Sequence, residues 1–172
     1  MVAAAVARED DALSTVLRVG LISDTHDLVR PEAVDFLRGC DHIIHAGDIV
    51  GDCVLVELAT LAPLTAVRGN HDRGAWADRL QRAELIELGD VFIYVLHDLK
   101  DLDLDPVAAG IHVVVSGHTH APQIETRDGV LFINPGSAGP RRFTLPISVA
   151  ELVIRGRQID ARLMTLPVAI PV

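Results

Sequence analysis

The amino-acid sequence predicts a single domain of the α/β class, and three observations carry that prediction. The chain is 49% hydrophobic but only 3% aromatic, so its core must be built from Val, Leu, Ile and Ala. This composition is typical of strands that are buried on both faces beneath helices. Helical patterns lie mostly in the first half of the chain and strand patterns in the second half. The length of 172 residues suits one compact domain, and no shift in composition marks a boundary between two.

The beginning of the chain is expected to form a flexible tail, residues 1–16, ahead of one domain over residues 17–172. Residues 1–7 are apolar, but they lack a basic n-region and soon run into acidic residues, which is unlike a secretory signal. No stretch approaches the roughly 20 apolar residues that cross a bilayer, so we expect no membrane partner.

Cysteine content and net charge restrict the location and the partners. Cys40 and Cys53 are too few for a disulfide framework, and their apolar surroundings predict buried thiols in a reducing, cytoplasmic setting. The formal net charge of -9 argues against binding long nucleic acids, because that binding depends on Lys and Arg neutralising phosphates. The sequence leaves open whether the protein forms a homo-oligomer.

Strands and helices alternate through the first half of the chain. Residues 17–23 form an apolar run that predicts the first strand. A short helix is predicted over residues 33–37, because Pro31 suits a first helical turn and Gly39 suits a helix end.

The second strand ends in the apolar pair at residues 43–44, and a second helix is predicted to follow. Apolar residues recur at helical spacing over residues 52–61, and Asp52 is expected to be the N-cap. Residues 64–67 then form the third predicted strand.

The second half is predicted to be mostly strands, and a short helix from Asp105-Pro106 to Gly110 interrupts them. Asp128-Gly129 is the strongest hairpin signal in the chain. The predicted strands cover residues 85–88, 91–96, 113–116, 123–126, 130–133, 147–154 and 158–166.

Side chains that can bind metal ions follow the ends of five predicted strands. They are Asp24 and His26, Asp48, Asn70 and His71, His97, and His118 and His120. Asp48 is central, because Gly47 lets the backbone turn where the strand delivers this carboxylate to the sheet edge. The donors are too many for one ion, so the sequence indicates two ions that share a bridging carboxylate. Two ions about 3.5–4 Å apart can clamp the attacking and leaving oxygens of a phosphoryl displacement.

Each motif has a plainer interpretation when it is taken alone. The Asp-x-His motif at residue 24 and the Asn-His-Asp motif at residue 70 are also ordinary turn sequences. Two histidines flanking Thr119 directly after a buried strand are more specific for metal, because they would emerge into a loop. Arg141 and Arg142 stay open to two interpretations, a contact to a substrate phosphate or an exposed pair of charges.

Taken together, the motifs stand in a recognisable order. They are Asp24-x-His26, Gly47-Asp48 with Gly51-Asp52, Gly69-Asn70-His71-Asp72, His97, and Gly117-His118-Thr119-His120. This order resembles the calcineurin-like metallophosphoesterases. Val67-Arg68-Gly69-Asn70, Asn134-Pro135-Gly136-Ser137 and the short length resemble their small bacterial and archaeal phosphodiesterase branch. The resemblance covers residues 17–166 and implies a four-layer α-β-β-α sandwich of two mixed sheets flanked by helices.

The resemblance also implies a role for each site residue. One divalent ion would be held by Asp24, His26, Asp48 and His120. The second would be held by Asp48, Asn70, His97 and His118. His71 would be a proton donor beside the leaving-group oxygen, with Asp72 as its orienting partner. Mn²⁺ is the expected metal for both sites, although imidazoles and carboxylates also suit Fe, Zn or Ni.

This chain departs from the family pattern at three places. Many relatives have Gly where this chain has Asp27, and many read His-Gly-His where it has His97-Asp98-Leu99, so both changes add acid near the site. Some small members carry Cys where this chain has His71, and His is the better proton donor near neutral pH.

The expected function is hydrolysis of small phosphodiesters by in-line attack of a metal-bridging hydroxide. Two cations would lower the pKa of a bridging water and neutralise charge on the phosphoryl oxygens. A eukaryotic retromer subunit resembles the same branch and serves as a binding scaffold, but a scaffold would not need every ligand position filled. A nuclease would use the same chemistry, but it needs a basic groove that a net charge of -9 does not favour.

Overall fold

The computed structural model describes residues 15–168. The predicted tail, residues 1–16, therefore lies outside the described residues except for its last two positions, and Val16 already begins a strand. The elements are β1 (Val16–Ile22), α1 (Pro31–Leu37), β2 (His42–His45), α2 (Asp52–Ala59), β3 (Leu64–Ala66), β4 (Ala83–Leu88), β5 (Val91–Leu96), β6 (Val113–Val115), β7 (Gln123–Arg127), β8 (Val130–Asn134), β9 (Ser148–Arg155) and β10 (Gln158–Thr165).

The strands form two mixed sheets. The first has the order β10-β9-β1-β2-β3, in which β1, β2 and β3 are parallel and the β9-β10 hairpin is antiparallel. The second has the order β4-β5-β6-β8-β7, in which β5, β6 and β8 are parallel and both outer strands are antiparallel.

The two sheets pack face to face over one aliphatic core. Leu21 and Ile44 of the first sheet meet Ile93 and Val115 of the second there. Helices α1 and α2 cover the outer face of the first sheet, and a 3-10 turn (Leu99–Asp101) with the loop after it covers the outer face of the second. These four layers confirm the predicted sandwich, although the fourth contains no α-helix within residues 15–168. No helix in this range is long and apolar enough to cross a membrane.

Three local predictions were wrong. Gly51, not Asp52, is the N-cap of α2, and Asp52 instead places its negative charge in the first turn. Residues 106–110 form consecutive turns and not the predicted helix: Asp105 Oδ1 accepts from the N–H groups of Val107 and Ala108 as a helix N-cap does, but Gly110 ends the segment with a φ of 70°. Cys40 is buried as expected, but Cys53 is exposed.

The strand directions decide where the predicted site lies. The parallel strands β1, β2 and β3 all end at the same edge of the first sheet, and β5 and β6 end at the same edge of the second. Loops that follow the carboxyl ends of parallel strands form the usual ligand crevice of α/β sheets. The five motif segments therefore meet at one end of the molecule.

Candidate metal centre

The backbone of the motif loops lies in the left-handed region at five of the predicted ligands. The φ angles of Asp24, His26, Asp48, His118 and His120 lie between 46° and 66°. Within residues 15–168 only nine non-glycine residues have positive φ, so more than half of them are predicted ligands. Such a conformation costs free energy in residues with a Cβ, and it is concentrated where side chains must be aimed at a site.

Close contact between loops fixes their relative positions. The N–H of Asp24 donates to the carbonyl of Gly47 (3.0 Å), and the N–H of His26 donates to the carbonyl of Asp48 (3.0 Å). A Cβ at Gly69 would collide with the backbone nitrogen and Oδ1 of Asp48, so only glycine allows this approach. The first three motifs thus form one packed unit.

Asp24, His26 and His120, named here the first donor group, present ligand atoms within 4.8 Å of one another. Asp24 Oδ1, His26 Nε2 and His120 Nε2 are buried and have no hydrogen-bond partner among the described residues. Asp24 Oδ1 lies 3.2 Å from His120 Nε2. Its other oxygen accepts from the Ser23 hydroxyl (2.7 Å) and the His118 N–H (3.1 Å). Buried polar atoms are normally paired, so these three atoms fit a bound cation.

Asn70, His97 and His118, named here the second donor group, meet at the Asn70 amide oxygen. His97 Nε2 and His118 Nδ1 each lie 3.1 Å from Asn70 Oδ1. His97 Nδ1 donates to the carbonyl of Ala46 (2.7 Å), so its Nε2 carries a lone pair when the ring is neutral. A lone pair facing an amide oxygen requires a proton or a cation between them, which also fits a metal site.

Asp48 lies between the two donor groups. Its Oδ2 is 3.4 Å from His97 Nε2 and 3.9 Å from His26 Nε2, so one carboxylate oxygen faces both groups. Its Oδ1 accepts from the His71 N–H (2.8 Å). Asp24, Asp48 and His97 also form a close group, in which one ligand atom of each residue lies within 4.8 Å of the ligand atoms of the other two. The structure therefore brings all seven predicted ligands together.

The electrostatics keep the central carboxylate ionised. Burial raises the pKa of Asp48, but hydrogen bonds from the His97 ring and the His71 backbone outweigh it and lower the pKa to about 2. Burial lowers the pKa of His97, but the hydrogen bond with Asp48 and the charge of Asp24 raise it more. Burial is the main cause of the lowered pKa of His26, which favours the neutral ring that a metal needs.

His71 lies at the rim of the site. Its side chain is 49% exposed, and its Nε2 is 3.9 Å from Asp48 Oδ2. The ring meets the His26 ring edge-on, with 5.4 Å between centroids. This position is open to solvent and close to the donors, which suits a group that exchanges protons with a bound substrate.

Asp72 does not orient the His71 ring as predicted. Its carboxylate is 1% exposed and accepts four backbone hydrogen bonds of 2.7–3.1 Å. The donors are the N–H groups of Asp48, Ile49, Val50 and Gly69. Four buried amides use up the acceptor positions of the carboxylate, so Asp72 clamps the loops after β2 and β3 to each other.

The sequence analysis missed His45, a fully buried residue beneath the site. Its Nδ1 accepts from the Gly47 N–H (3.2 Å), so its Nε2 carries the proton and donates to the Thr25 hydroxyl (2.9 Å). Burial lowers the pKa of His45 to about 4. The only signal in the sequence was a histidine on an apolar strand three residues before Asp48.

Asn134 was also missed as a site residue. Its side-chain amide donates to the carbonyl of Gly117 (2.7 Å) and to the Thr119 hydroxyl (3.1 Å), which fixes the loop that carries His118 and His120. In the sequence, the Asn134-Pro135-Gly136 motif predicted a turn at this end of the sheet, but it did not predict the hydrogen bonds to Gly117 and Thr119.

Asp27 and Asp98, the two acidic residues at which this chain departs from the family pattern, lie in different places. Asp27 is exposed, and its Oδ1 accepts from the Cys53 thiol, with 3.2 Å between the atoms, so it stays outside both donor groups. Asp98 lines a cavity of about 370 Å³ that also borders the second donor group, together with Arg82 and Tyr94. Arg141 and Arg142 are both exposed.

Comparisons with known proteins agree with this geometry. A family model described as the calcineurin-like phosphoesterase superfamily domain matches residues 17–157. A probable metallophosphoesterase of Methanothermobacter thermautotrophicus is 37% identical over 158 residues, which cover 85% of this chain and 91% of the relative. A phosphodiesterase of Methanocaldococcus jannaschii is 30% identical over 138 residues, or 70% of this chain and 83% of the relative.

A solved structure shares the same fold. Vacuolar protein sorting 29 of Cryptosporidium parvum superposes with a TM-score of 0.76 over 88% of this chain and 92% of that chain. The two sequences are 18% identical, so this likeness concerns the fold alone.

Proposed function

The chain belongs to the calcineurin-like phosphoesterase superfamily, and from that premise we propose that it hydrolyses small phosphodiesters with two divalent ions. The first donor group would hold one ion and the second donor group the other, and the Asp48 carboxylate would be shared between them. Mn²⁺ is the proposed metal, with Fe, Zn and Ni as alternatives that the same ligand types accept.

The observation that carries this proposal is the set of unpaired ligand atoms in the first donor group. Asp24 Oδ1, His26 Nε2 and His120 Nε2 are buried, mutually close and without hydrogen bonds in the described part of the chain. A protein that used this fold only as a scaffold would gain stability by pairing or replacing these atoms. Their retention supports a site that is completed by a cation.

Each residue of the site has a different role in the proposed reaction. Bound divalent ions supply an acidified water and neutralise charge on the phosphoryl oxygens. The Asp48 carboxylate is ionised at neutral pH, since burial raises its pKa but hydrogen bonds from the His97 ring and the His71 backbone lower it more, so it could be shared by two cations. Asp72 holds the backbone of Asp48 in place through the amide bonds described above. His71, at the exposed rim, is assigned to protonate the leaving-group oxygen.

The adjoining cavity has room for an organic group of the substrate. A space of about 370 Å³ is lined by Asn70, His97 and His118 of the second donor group and also by Arg82 and Tyr94. A diester carries two organic groups, so one can lie in this cavity while the other leaves as the alcohol. The mixed polar and aromatic lining suits an ester of a polar organic alcohol.

The cysteines support a reducing, cytoplasmic location as part of the proposal, because both cysteines within residues 15–168 are free thiols.

The test combines metal analysis with substrate choice. The metal-stripped protein is reconstituted with Mn²⁺, and the ions per chain are counted beside turnover of a chromogenic phosphodiester, a phosphomonoester and single-stranded DNA. We expect two ions per chain and the highest turnover on the diester. Asp48→Asn should lose metal and turnover, whereas Asp160→Asn, which changes an exposed carboxylate paired with Arg155, should keep both.

Two results would contradict the proposal. If the reconstituted protein held at most one ion and turned over no diester, a scaffold role on the same fold would replace it. If single-stranded DNA were the best substrate, the protein would be a nuclease.

A further inference from the structure

We propose that Asp98 is a positioning residue for the second metal ion, because its carboxylate holds the His118 ring with Nδ1 facing the donor group. This inference rests on the proposed function, since it concerns one of the two assigned ions.

The two nitrogens of the His118 ring face different partners. Nδ1 lies 3.1 Å from Asn70 Oδ1, inside the second donor group. Nε2, on the opposite side of the ring, lies 3.5 Å from Asp98 Oδ2. A proton on Nε2 is attracted by the Asp98 carboxylate, and the lone pair then resides on Nδ1. A carboxylate behind a histidine in this way selects the tautomer, orients the ring and increases its basicity toward a metal.

His118 needs such a partner more than the other histidine of its group. The His97 side chain is 5% exposed, and its Nδ1 is held by the carbonyl of Ala46. The His118 side chain is 38% exposed and makes one edge-on ring contact, to His97, with 5.2 Å between centroids. Packing therefore restrains the His118 ring on one side only, and Asp98 supplies a restraint on the other.

Asp98 is itself held in place by the turn that follows it. Its Oδ1 accepts from the Lys100 N–H (3.1 Å), and its carbonyl accepts from the Asp101 N–H (2.9 Å), so it caps the 3-10 turn at Leu99–Asp101. One carboxylate oxygen is committed to the cap and the other is directed at His118. The His118 ring thus faces a carboxylate at ion-pair distance whose position is fixed by a capped turn of the backbone, and an accurate ligand position benefits from such support.

A general charge effect is the competing explanation, and the chain offers a matched control. Asp101 lines the same cavity as Asp98, but within residues 15–168 its side chain has no ion pair with His118. Removing the charge of Asp101 changes the local field without touching the ring. Asp98→Asn removes the charge and keeps one carbonyl oxygen for the cap, but it presents an NH₂ group to His118 Nε2, whereas Asp98→Ala removes both contacts.

The experiment measures Mn²⁺ affinity by calorimetric titration of wild type, Asp98→Ala, Asp98→Asn and Asp101→Asn. Asp98→Ala should weaken one of the two binding steps by about 10- to 100-fold and leave the other unchanged. Asp98→Asn should show a similar loss, because the oxygen that serves the cap cannot also face the ring, and Asp101→Asn should match wild type. Nitrogen-15 spectra of the histidine rings in metal-free protein give a second readout, in which neutral His118 should carry its proton on Nε2 in wild type and lose this preference in Asp98→Ala.

The outcomes separate this inference from the function on which it rests. Two ions in wild type together with unchanged affinity in Asp98→Ala would overturn it, and so would an equal loss in Asp101→Asn. A loss in Asp98→Ala that Asp98→Asn fully recovers would assign Asp98 to the turn alone, because Asn keeps the acceptor of the cap. A wild type that binds no ion at all would instead refute the proposed function.

Discussion

Acid should destabilise this protein through His45, a ring that must stay neutral in the folded state. The ring is fully buried, accepts a hydrogen bond from Gly47 at one nitrogen and donates one to Thr25 at the other. Protonating it would set a second N–H against the Gly47 N–H and place a charge in the interior. The folded state therefore resists the proton that the unfolded chain readily takes up.

The size and sign of the effect follow from the pKa of His45, which burial lowers from 6.5 to about 4. Between these two values the unfolded state binds more protons than the folded state, so stability rises with pH across the window. The contribution is fully present above pH 6.5 and is lost progressively as the pH falls toward 4. At about 1.4 kcal/mol per pH unit, the loss amounts to about 3 kcal/mol.

The assay is urea unfolding of the metal-free protein at a series of pH values across this window. His45→Gln is the matched variant, because its amide can still donate to Thr25 but does not titrate. The pKa values of His26 and His42 are also lowered, mainly by burial, but both residues are present in the two proteins and their effects cancel. The unfolding free energy of wild type should fall more steeply with acid than that of the variant. Parallel curves would refute the reasoning.

Four further predictions test the site. Asp48→Asn should remove more bound metal than Asp24→Asn, because Asp48 faces both donor groups; equal metal contents measured by elemental analysis would contradict a bridging role. His71→Ala should keep both ions but slow diesters with an alkoxide leaving group by about a hundredfold, and nitrophenyl diesters much less. An equal loss on both substrates, or a missing ion, would show a different role for His71. Asp72→Ala should lower the unfolding free energy by about 3 kcal/mol or more in chemical denaturation, because four buried amides lose their acceptor. Gly69→Ala should disrupt the metal site, because its Cβ has no room beside Asp48; normal metal content in this variant would refute the steric argument.

The sequence by itself was sufficient for the fold class and for the list of candidate ligands. Strands are visible as apolar runs, and parallel strands bring the residues after their carboxyl ends to the same sheet edge. That rule places Asp24, Asp48 and Asn70 together although they are far apart along the chain. Order and spacing then indicated the family, which the family model and the archaeal relatives confirm.

Only the tertiary structure decided what supports those ligands. Asp72 accepts hydrogen bonds from amides 22–24 residues earlier in the chain, and Asp98 faces a histidine of another motif. The pKa of His45 is lowered because the ring is fully buried in the folded chain. Local sequence patterns report on neighbours three or four residues away, whereas desolvation and long-range hydrogen bonds exist only after the chain has packed.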